Sequence, residues 1–451
     1  MKRLFLIYLN FEIRFKSHIR FKEIKAYIEI VKLFKSYRLR LPAILAVASL
    51  TLALTVSDAS AAEDLTPCQI QVQSTANHMR IGWPKDPDVM PSIGNVKILV
   101  LAIDFSDAPM AGDPTGEYKN LMQLEKISAF YKSVSNGLFK PTFEIYPKYV
   151  RMKENSEHYG KILERDELVD GEWESHHMTH DAMREVDGIV DLSQYKAALV
   201  IVSGGKSLSG RVALATSQDV NSDPHKTGEI HNTILAGIRS FAESGVVPWR
   251  ILVHEINHLM GLADLYLYSQ DGWWQGKSPG AFGQQGFLRG SSQSDSLAWN
   301  RWLQGWVPNT RVQCNAAAAT VSDIPMSQPG TIDNRHEIVI TRINEHIVLV
   351  VEALKTKGFE AQASKNSMLV YLVDSWVKPG LGPVKIIPKK SAMTYAPLTP
   401  EIPDWIRYKD APIAPGQSIT WENFVIRNNK LSGGKMTLTI TVKTGPVKIE
   451  S

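Results

Sequence analysis

The sequence has little positive charge once its first 61 residues are set aside. The whole chain of 451 residues has a formal net charge of +4. Residues 1–61 hold 11 Lys and Arg against 4 Asp and Glu, a surplus of +7, so the remainder has a charge of about −3. A surface that binds nucleic acid needs basic residues that stay in the mature protein. We therefore expect no nucleic-acid partner.

The apolar run near the N-terminus, Leu41–Val56, is short for a membrane-spanning helix. It follows a basic stretch and precedes the triplet Ala59-Ser60-Ala61, which is the order of a secretory signal peptide cleaved after Ala61. Residues 1–38 exceed the usual basic segment, which indicates a start codon placed too far upstream. An uncleaved signal anchor is the alternative. We expect an exported protein (secreted, periplasmic or cell-surface) without stable membrane association after cleavage.

Cysteine is scarce, with Cys68 and Cys314 as the only two. An even number of cysteines in an oxidising compartment favours one disulfide. That disulfide would join the start of the mature chain to a segment far along the sequence. Two alternatives stay open: Cys68 could cap a metal ion as a thiolate in a latent form, or both thiols could be free.

Repeats and low-complexity tracts are also absent. Hydrophobic residues make up 44% of the chain and charged residues 21%, as in ordinary globular proteins. The length allows one large unit and an accessory domain. Apolar runs and helical periods predict strands and helices in turn as far as residue 310. The predicted segments are strands at Asn95–Asp107, Phe143–Val150 and Ala197–Ser203, helices at Leu124–Val134, His177–Val186 and Arg250–Leu262, and a loop or edge strand at Lys206–Thr227.

The pattern changes after residue 310 to short β-rich runs at 336–343, 346–353, 367–374 and 435–442, separated by turn signals. This texture is typical of a small antiparallel sandwich or sheet domain. The predicted organisation is a leader at residues 1–61, a short N-terminal segment at 62–94, a main domain at 95–310 and a β-rich domain at 311–451.

The sequence V-H-E-I-N-H-L-M-G-L-A-D-L-Y at 253–266 indicates metal chemistry. On a helix, His254 and His258 lie on one face and can hold one ion. Glu255 is close enough to hydrogen-bond a water on that ion without binding the metal itself. Two neutral imidazoles, a metal that acidifies water and a carboxylate that accepts its proton are the parts of a zinc hydrolase.

A catalytic zinc needs a third protein ligand and one open position. Gly261 can adopt a positive φ and turn the chain sharply, which brings Asp264 back towards the ion. The spacing is that of the metzincin pattern H-E-x-x-H-x-x-G-x-x-H, with Asp in the last place. We therefore predict His254, His258 and Asp264 as metal ligands and Glu255 as the general base.

The chain resembles the immune inhibitor A-like secreted metallopeptidases, whose motif is H-E-x-G-H-x-x-G-x-x-D-x-Y. The resemblance covers roughly residues 95–375 and includes the segments V-K-I-L-V-L-A-I-D-F-S-D, S-N-G-L-F-K-P-T-F-E-I and S-L-A-W-N-R-W-L-Q-G-W-V. It implies a secreted zinc peptidase with the same ligands and base.

Two positions depart from that family. Asn257 replaces the glycine inside the motif, on what we expect to be a helix face away from the metal. Leu288 stands where the family has a methionine turn beneath the metal, in the segment F-G-Q-Q-G-F-L-R-G. Leucine has a similar volume, so the packing should survive.

Other residues are weaker candidates. Tyr266 and Tyr268 could donate a hydrogen bond to an oxyanion, although a packing role is the simpler interpretation. A second metal could bind the cluster of His176, His177, His180 and Asp181, but adjacent histidines on a helix face different ways, which favours a solvated helix start. Trp273-Trp274 could line a cleft or cap the core. Calcium is possible, yet no loop has a recognisable ligand spacing.

Together these features predict an α/β (α+β) metzincin-like zinc peptidase domain followed by a β-rich, sandwich-like domain. The expected activity is a secreted zinc-dependent endopeptidase that acts on protein or peptide substrates, with one catalytic Zn²⁺ and Glu255 as base. The alternatives are an exported binding or adhesion protein with a structural or degenerate zinc site, and a zinc amidase or aminopeptidase.

Overall fold

A six-stranded sheet forms the first part of the fold. The computed structural model describes residues 64–165, 168–169, 172–204, 213–217, 230–238, 242, 247–266, 282–286, 295–315, 319–355, 365–389 and 411–443, all within a compact unit that spans Glu63–Ser451. Its strands are β1 Gly94–Asp104, β2 Phe139–Ile145, β3 Val150–Arg151, β6 Ala197–Val202, β7 Ala213–Ser217 and β8 Asn232–Ala236. They run in the order β2-β1-β6-β8-β7, with β3 also paired to β1.

The central strand β1 is apolar along nearly its whole length because both of its faces are covered. It pairs in parallel with β2 and β6, and β6 pairs in parallel with β8. Its alternate side chains enter two separate cores, with Ile98 and Val100 in one and Leu99 and Leu101 in the other. The sheet is therefore the middle layer of this part of the chain.

Helices cover both faces of this sheet. Helices α1 Pro114–Met122, α2 Leu124–Val134 and α5 Pro248–Leu259 pack on the face with Ile98 and Val100. The opposite face is covered by α3 Ser156–Arg165 and α4 Glu174–Arg184. A short hairpin, β4 Leu168–Val169 and β5 Glu172–Trp173, lies between α3 and α4 in the chain.

Two antiparallel-rich sheets follow helix α6, Ala298–Leu303, in the chain. Their strands are β9 Val312–Asn315, β10 Val321–Met326, β11 Ile338–Arg342, β12 Ile347–Ala353, β13 Met368–Asp374, β14 Val384–Ile386, β15 Ser418–Trp421, β16 Phe424–Asn428 and β17 Met436–Val442. One sheet has the order β14-β13-β12-β11-β9 and the other β10-β17-β16-β15. Side chains of both sheets, such as Val351 of β12 and Ile426 of β16, share one core.

The segment before β1 is packed into the rest of the unit. Cys68 forms a disulfide with Cys314 of β9, which confirms the predicted pairing and leaves no thiol to cap a metal. Ile70 and Ile81 belong to the same core as Trp299 of α6 and the strands β12 and β13. The Trp299 ring nitrogen donates to the Ile81 carbonyl at 2.7 Å. This N-terminal segment thus contacts both α6 and the two antiparallel-rich sheets, which we call the second group of sheets.

The structure is mixed α/β with several sheets, consistent with an α+β fold. The predicted helix at Leu124–Val134 and strand at Ala197–Ser203 are confirmed to within a residue. The strand predicted at Phe143–Val150 is wrong in its bounds, because β2 already pairs with β1 at Phe139 and tolerates Pro141 as an edge strand.

The metzincin-like identity, the domain division near residue 310 and the sandwich-like domain stay predictions. The predicted leader, residues 1–61, lies outside the described residues. Among the residues that are described, no helix is both long and apolar enough to cross a membrane.

Candidate metal centre

Helix α5 carries the first two predicted ligands and is buried on all sides. It begins with Pro248 in its first turn, where a missing N–H costs nothing and the fixed φ suits a helix. Leu252, Val253 and Ile256 pack against the sheet and α2. Because the whole helix is buried, the polar groups on its other face also point into the interior of the protein. These groups are His254, Glu255 and His258, which form a buried polar site.

The helix ends in a left-handed turn at Gly261. Its φ is +86°, and its N–H donates to the His258 carbonyl at 2.8 Å while the Leu262 N–H donates to the Asn257 carbonyl at 3.0 Å. These two bonds form a Schellman motif, which normally requires glycine at the left-handed position. The motif reverses the chain, so Asp264 returns to the histidines as predicted.

Distant segments donate hydrogen bonds to the last carbonyl groups of this helix and its turn. The Met90 N–H donates to the Leu259 carbonyl at 2.8 Å, and the Arg80 N–H donates to the Gly261 carbonyl at 2.9 Å. The Gln304 side chain donates to the Met260 carbonyl at 3.0 Å. Helix ends leave carbonyls that need partners, so the N-terminal segment and α6 fix where the turn lies.

The structure brings the three predicted ligand atoms together in a buried cluster. Asp264 Oδ1 lies 3.0 Å from His254 Nε2 and 3.2 Å from His258 Nε2. The two Nε2 atoms are 3.0 Å apart, and all three side chains are at most 8% exposed. Within the described residues this is the one group of three or more His, Cys, Asp or Glu with such geometry.

The hydrogen bonds behind the rings show that this cluster fits a cation. His254 Nδ1 lies 3.2 Å from the Gln284 carbonyl, and His258 Nδ1 lies 2.7 Å from the Leu262 carbonyl. Carbonyl oxygens only accept, so each Nδ1 must be the protonated nitrogen and each neutral ring directs an Nε2 lone pair inwards. Two lone pairs and a carboxylate oxygen that face each other need a positive charge between them.

A proton can supply that charge when no metal is bound. Burial disfavours the charged form of His258, but the Asp264 carboxylate outweighs it and raises the pKa of His258 to about 9. Burial also favours protonated Asp264, yet the two histidines lower the pKa of this carboxyl well below its usual range. At neutral pH the site therefore contains the negative Asp264 carboxylate and, without a metal, the positive charge of the proton that this carboxylate attracts.

Glu255 lies next to the cluster on the same helix. It is 5% exposed, and its negative charge contributes to the raised pKa of His258. The structure thus brings all four predicted residues, Glu255 and the three ligand candidates, into one buried group. His, His and Asp with a neighbouring Glu could bind a divalent metal and accept a proton from a water beside it.

Two functional neighbours were missed in the sequence. Residues 282–286 form a turn beside the cluster, in which the Gln284 carbonyl accepts from His254 and the Gln285 side chain approaches His258. The only signal was a Gln-Gln pair between two glycines in the segment assigned to the methionine turn. Leu288 itself lies outside the described residues.

Asn257 has contacts that the sequence did not predict. Its side chain is fully buried and donates to Gln285 Oε1 at 2.9 Å. Four-residue spacing on a helix places Asn257 near Val253 and against α2, where the Tyr131 hydroxyl reaches it at 3.1 Å.

The weaker candidates have mixed outcomes. Tyr266 stacks on His254 with ring centroids 6.1 Å apart, so it lies at the site. Asp181 accepts from Tyr159 and pairs with Arg184, and it forms no metal cluster with the described histidines His177 and His180. Outside the described residues and side chains lie Tyr268, Trp273-Trp274 and the His176 side chain.

No protein-family model matches the chain, and no curated protein matches it. The function has to be inferred from the site itself.

Proposed function

We propose that the protein is an exported zinc-dependent endopeptidase with His254, His258 and Asp264 as metal ligands and Glu255 as general base. The observation that supports it most is the pair of backbone carbonyls behind the two rings, because they direct both Nε2 lone pairs at the Asp264 carboxylate. A helix with a chance H-E-x-x-H sequence has no reason to build this second layer of contacts.

Each residue of the site has a distinct task in this proposal. The two imidazoles and the carboxylate would hold the ion and leave one position open. Zinc in such a site polarises a peptide carbonyl and lowers the pKa of water. Glu255, buried beside the ligands but not within their cluster, would accept the proton of the attacking water and pass it to the leaving amine. A structural zinc site needs no such base, which favours catalysis over a binding role.

The sheet edge beside α5 supports a peptide substrate. Strand β7, Ala213–Ser217, pairs antiparallel with β8 and lies at the end of the sheet order, and α5 packs against it. No other strand of the described residues pairs with its outer side. A strand edge offers backbone N–H and carbonyl groups to an extended peptide. A peptide substrate bound in this way would present an internal peptide bond to the metal site, and not its terminal one.

The disulfide supports export. Cys68 and Cys314 are joined in the structure, and such bonds form and persist in oxidising compartments. A secreted, periplasmic or cell-surface location agrees with the signal-peptide pattern at residues 41–61.

The proposal is tested by zinc content and casein hydrolysis of the protein purified after export, beside Glu255→Gln and the control Glu125→Gln. Glu125 is exposed in the first turn of α2, so its loss of charge should change neither measurement. We expect one zinc per chain in all three proteins, and hydrolysis by the parent and the control only. A loss of about 10²-fold or more in Glu255→Gln is typical for a general base.

Other outcomes would redirect the assignment. Zinc bound without turnover of any protein or peptide would support the binding or adhesion alternative. Release of single residues from the amino end of peptides would support an aminopeptidase. A protein that binds no zinc would refute the metal centre.

A further inference from the structure

We infer that Gln285, held in place by Asn257 and Tyr131, positions the His258 ring for metal binding. The inference rests on the proposed metal centre but not on peptide hydrolysis. It concerns a buried row of hydrogen bonds that runs from α2 through α5 to the turn at residues 282–286.

The row connects four side chains. The Tyr131 hydroxyl donates to Asn257 Oδ1 at 3.1 Å and also lies 3.0 Å from the Val253 carbonyl. Asn257 Nδ2 donates to Gln285 Oε1 at 2.9 Å. Gln285 Nε2 then lies 3.3 Å from His258 Nδ1 and 3.5 Å from His258 Nε2.

The last contact is made with the face of the imidazole. An atom in the ring plane at nearly equal distances from both nitrogens would overlap the Cε1 carbon between them, so the Gln285 amide must lie over the ring. An N–H group above an aromatic face is weakly attractive. The His258 Nδ1–H bond to the Leu262 carbonyl holds one edge of the ring, and the amide limits rotation about that bond.

His254 is held in the same two ways. Its Nδ1 is bonded to the Gln284 carbonyl, and the Tyr266 ring stacks on its face at an interplanar angle of 27°. Each histidine ligand therefore has one contact at its edge and one on its face. The parallel arrangement indicates that the Gln285 contact belongs to the metal site and is not a by-product of packing.

Burial makes the row specific. Tyr131 and Asn257 are fully buried, and Gln285 is 1% exposed, so water does not replace their hydrogen bonds. A buried amide that loses its partner is costly, and this fixes which end of each amide faces which neighbour. Because the Asn257 N–H₂ group donates to Gln285 Oε1, the other end of the Gln285 amide, its N–H₂ group, faces His258.

The test measures metal binding in Gln285→Met, in Tyr131→Phe and in a control, Asn428→Leu. Methionine keeps the volume of glutamine and removes the amide. Asn428 is also a fully buried amide, but it donates to Asn366 and Ile413 in the second group of sheets, far from the cluster in the chain. Zinc affinity is measured by competition with a chromophoric chelator, and the ligand geometry by the visible spectrum of the cobalt-loaded proteins.

We expect zinc affinity to fall 10- to 100-fold in Gln285→Met, with a shifted cobalt spectrum, as is usual when a residue behind a metal ligand is lost. Tyr131→Phe removes one hydroxyl that lies two contacts from Gln285 and three from His258, and it should lower the affinity by about five-fold. Asn428→Leu should keep the parent affinity and spectrum even where its thermal stability is lower.

Parent-like affinity and an unchanged cobalt spectrum in Gln285→Met would overturn the inference while leaving the metal centre intact. An equal loss in Asn428→Leu would overturn it as well, because the effect would then be one of general stability. Absence of metal from the parent would refute the proposed centre, and the inference with it.

Discussion

Gly261→Ala is the substitution that most directly tests how the ligand loop is built. Gly261 has a φ of +86°, which costs a residue with a Cβ roughly 1–2 kcal/mol. A Cβ there would also lie 3.2 Å from the His78 carbonyl oxygen and 3.2 Å from Val89 Cγ1. Both neighbours would have to move, and overpacking of this kind adds about 1–3 kcal/mol.

Gly137→Ala is the matched control. Gly137 follows the end of α2 with a φ of +76°, but a Cβ there would meet no atom within 4 Å. The control should therefore lose only the backbone part, about 1–2 kcal/mol. Gly261→Ala should lose about 2–5 kcal/mol in total, and the shift of Leu262 should weaken the carbonyl bond to His258 Nδ1.

The assay combines the free energy of unfolding in guanidinium with zinc affinity for the parent and both variants. We expect the two alanine variants to differ in stability by about 1–3 kcal/mol and only Gly261→Ala to bind zinc at least ten-fold more weakly. Equal stability losses and equal zinc affinities would refute the reasoning, because the turn would then not depend on the space around Gly261.

Three further predictions concern the rest of the unit. Replacing Cys68 and Cys314 by serine opens a loop of 246 positions and should cost up to roughly 5 kcal/mol, read from the denaturation midpoint; a parent-like midpoint would contradict the role of the disulfide. Burial raises the pKa of Glu352 to about 7, against the partial offset of Arg301, so the stability that it contributes is full below about pH 4.5 and lost as pH rises through about 7. Glu352→Gln should therefore gain about 3 kcal/mol over the parent between pH 5 and pH 8 in urea unfolding, and identical pH profiles would disprove this. Removal of the metal by a chelator should lower Tm, and added zinc should restore it. A Tm that neither treatment changes would contradict binding of a metal to the folded state.

The helices and strands nearest the site were predictable because their cause is local. The continuous apolar run at residues 95–104 predicted a strand covered on both faces, and β1 does separate two cores. Where pairing with a distant strand decided a boundary, prediction failed. The start of β2 at Phe139 is set by its register with Gly94, which no local pattern contains.

The site divides in the same manner. The spacing of His254, Glu255 and His258 follows from the helical repeat, and the return of Asp264 follows from the one glycine that can adopt the turn. The placement of Asn257 could not be read in this way, because helix spacing states which residues share a face but not what covers that face.

The sequence by itself determined which residues meet in the proposed metal centre, the turn that brings Asp264 back and the central strands, because each depends on residues within about ten positions of one another. Only the tertiary structure decided what holds the two histidine rings and the helix end in place: the Gln284 carbonyl behind His254, the Gln285 amide over His258, and the Arg80 and Met90 N–H groups on the end of the helix. These partners come from segments far apart in the chain. Their contacts exist only after the sheet, α5 and the N-terminal segment have packed together, so no local spacing encodes them.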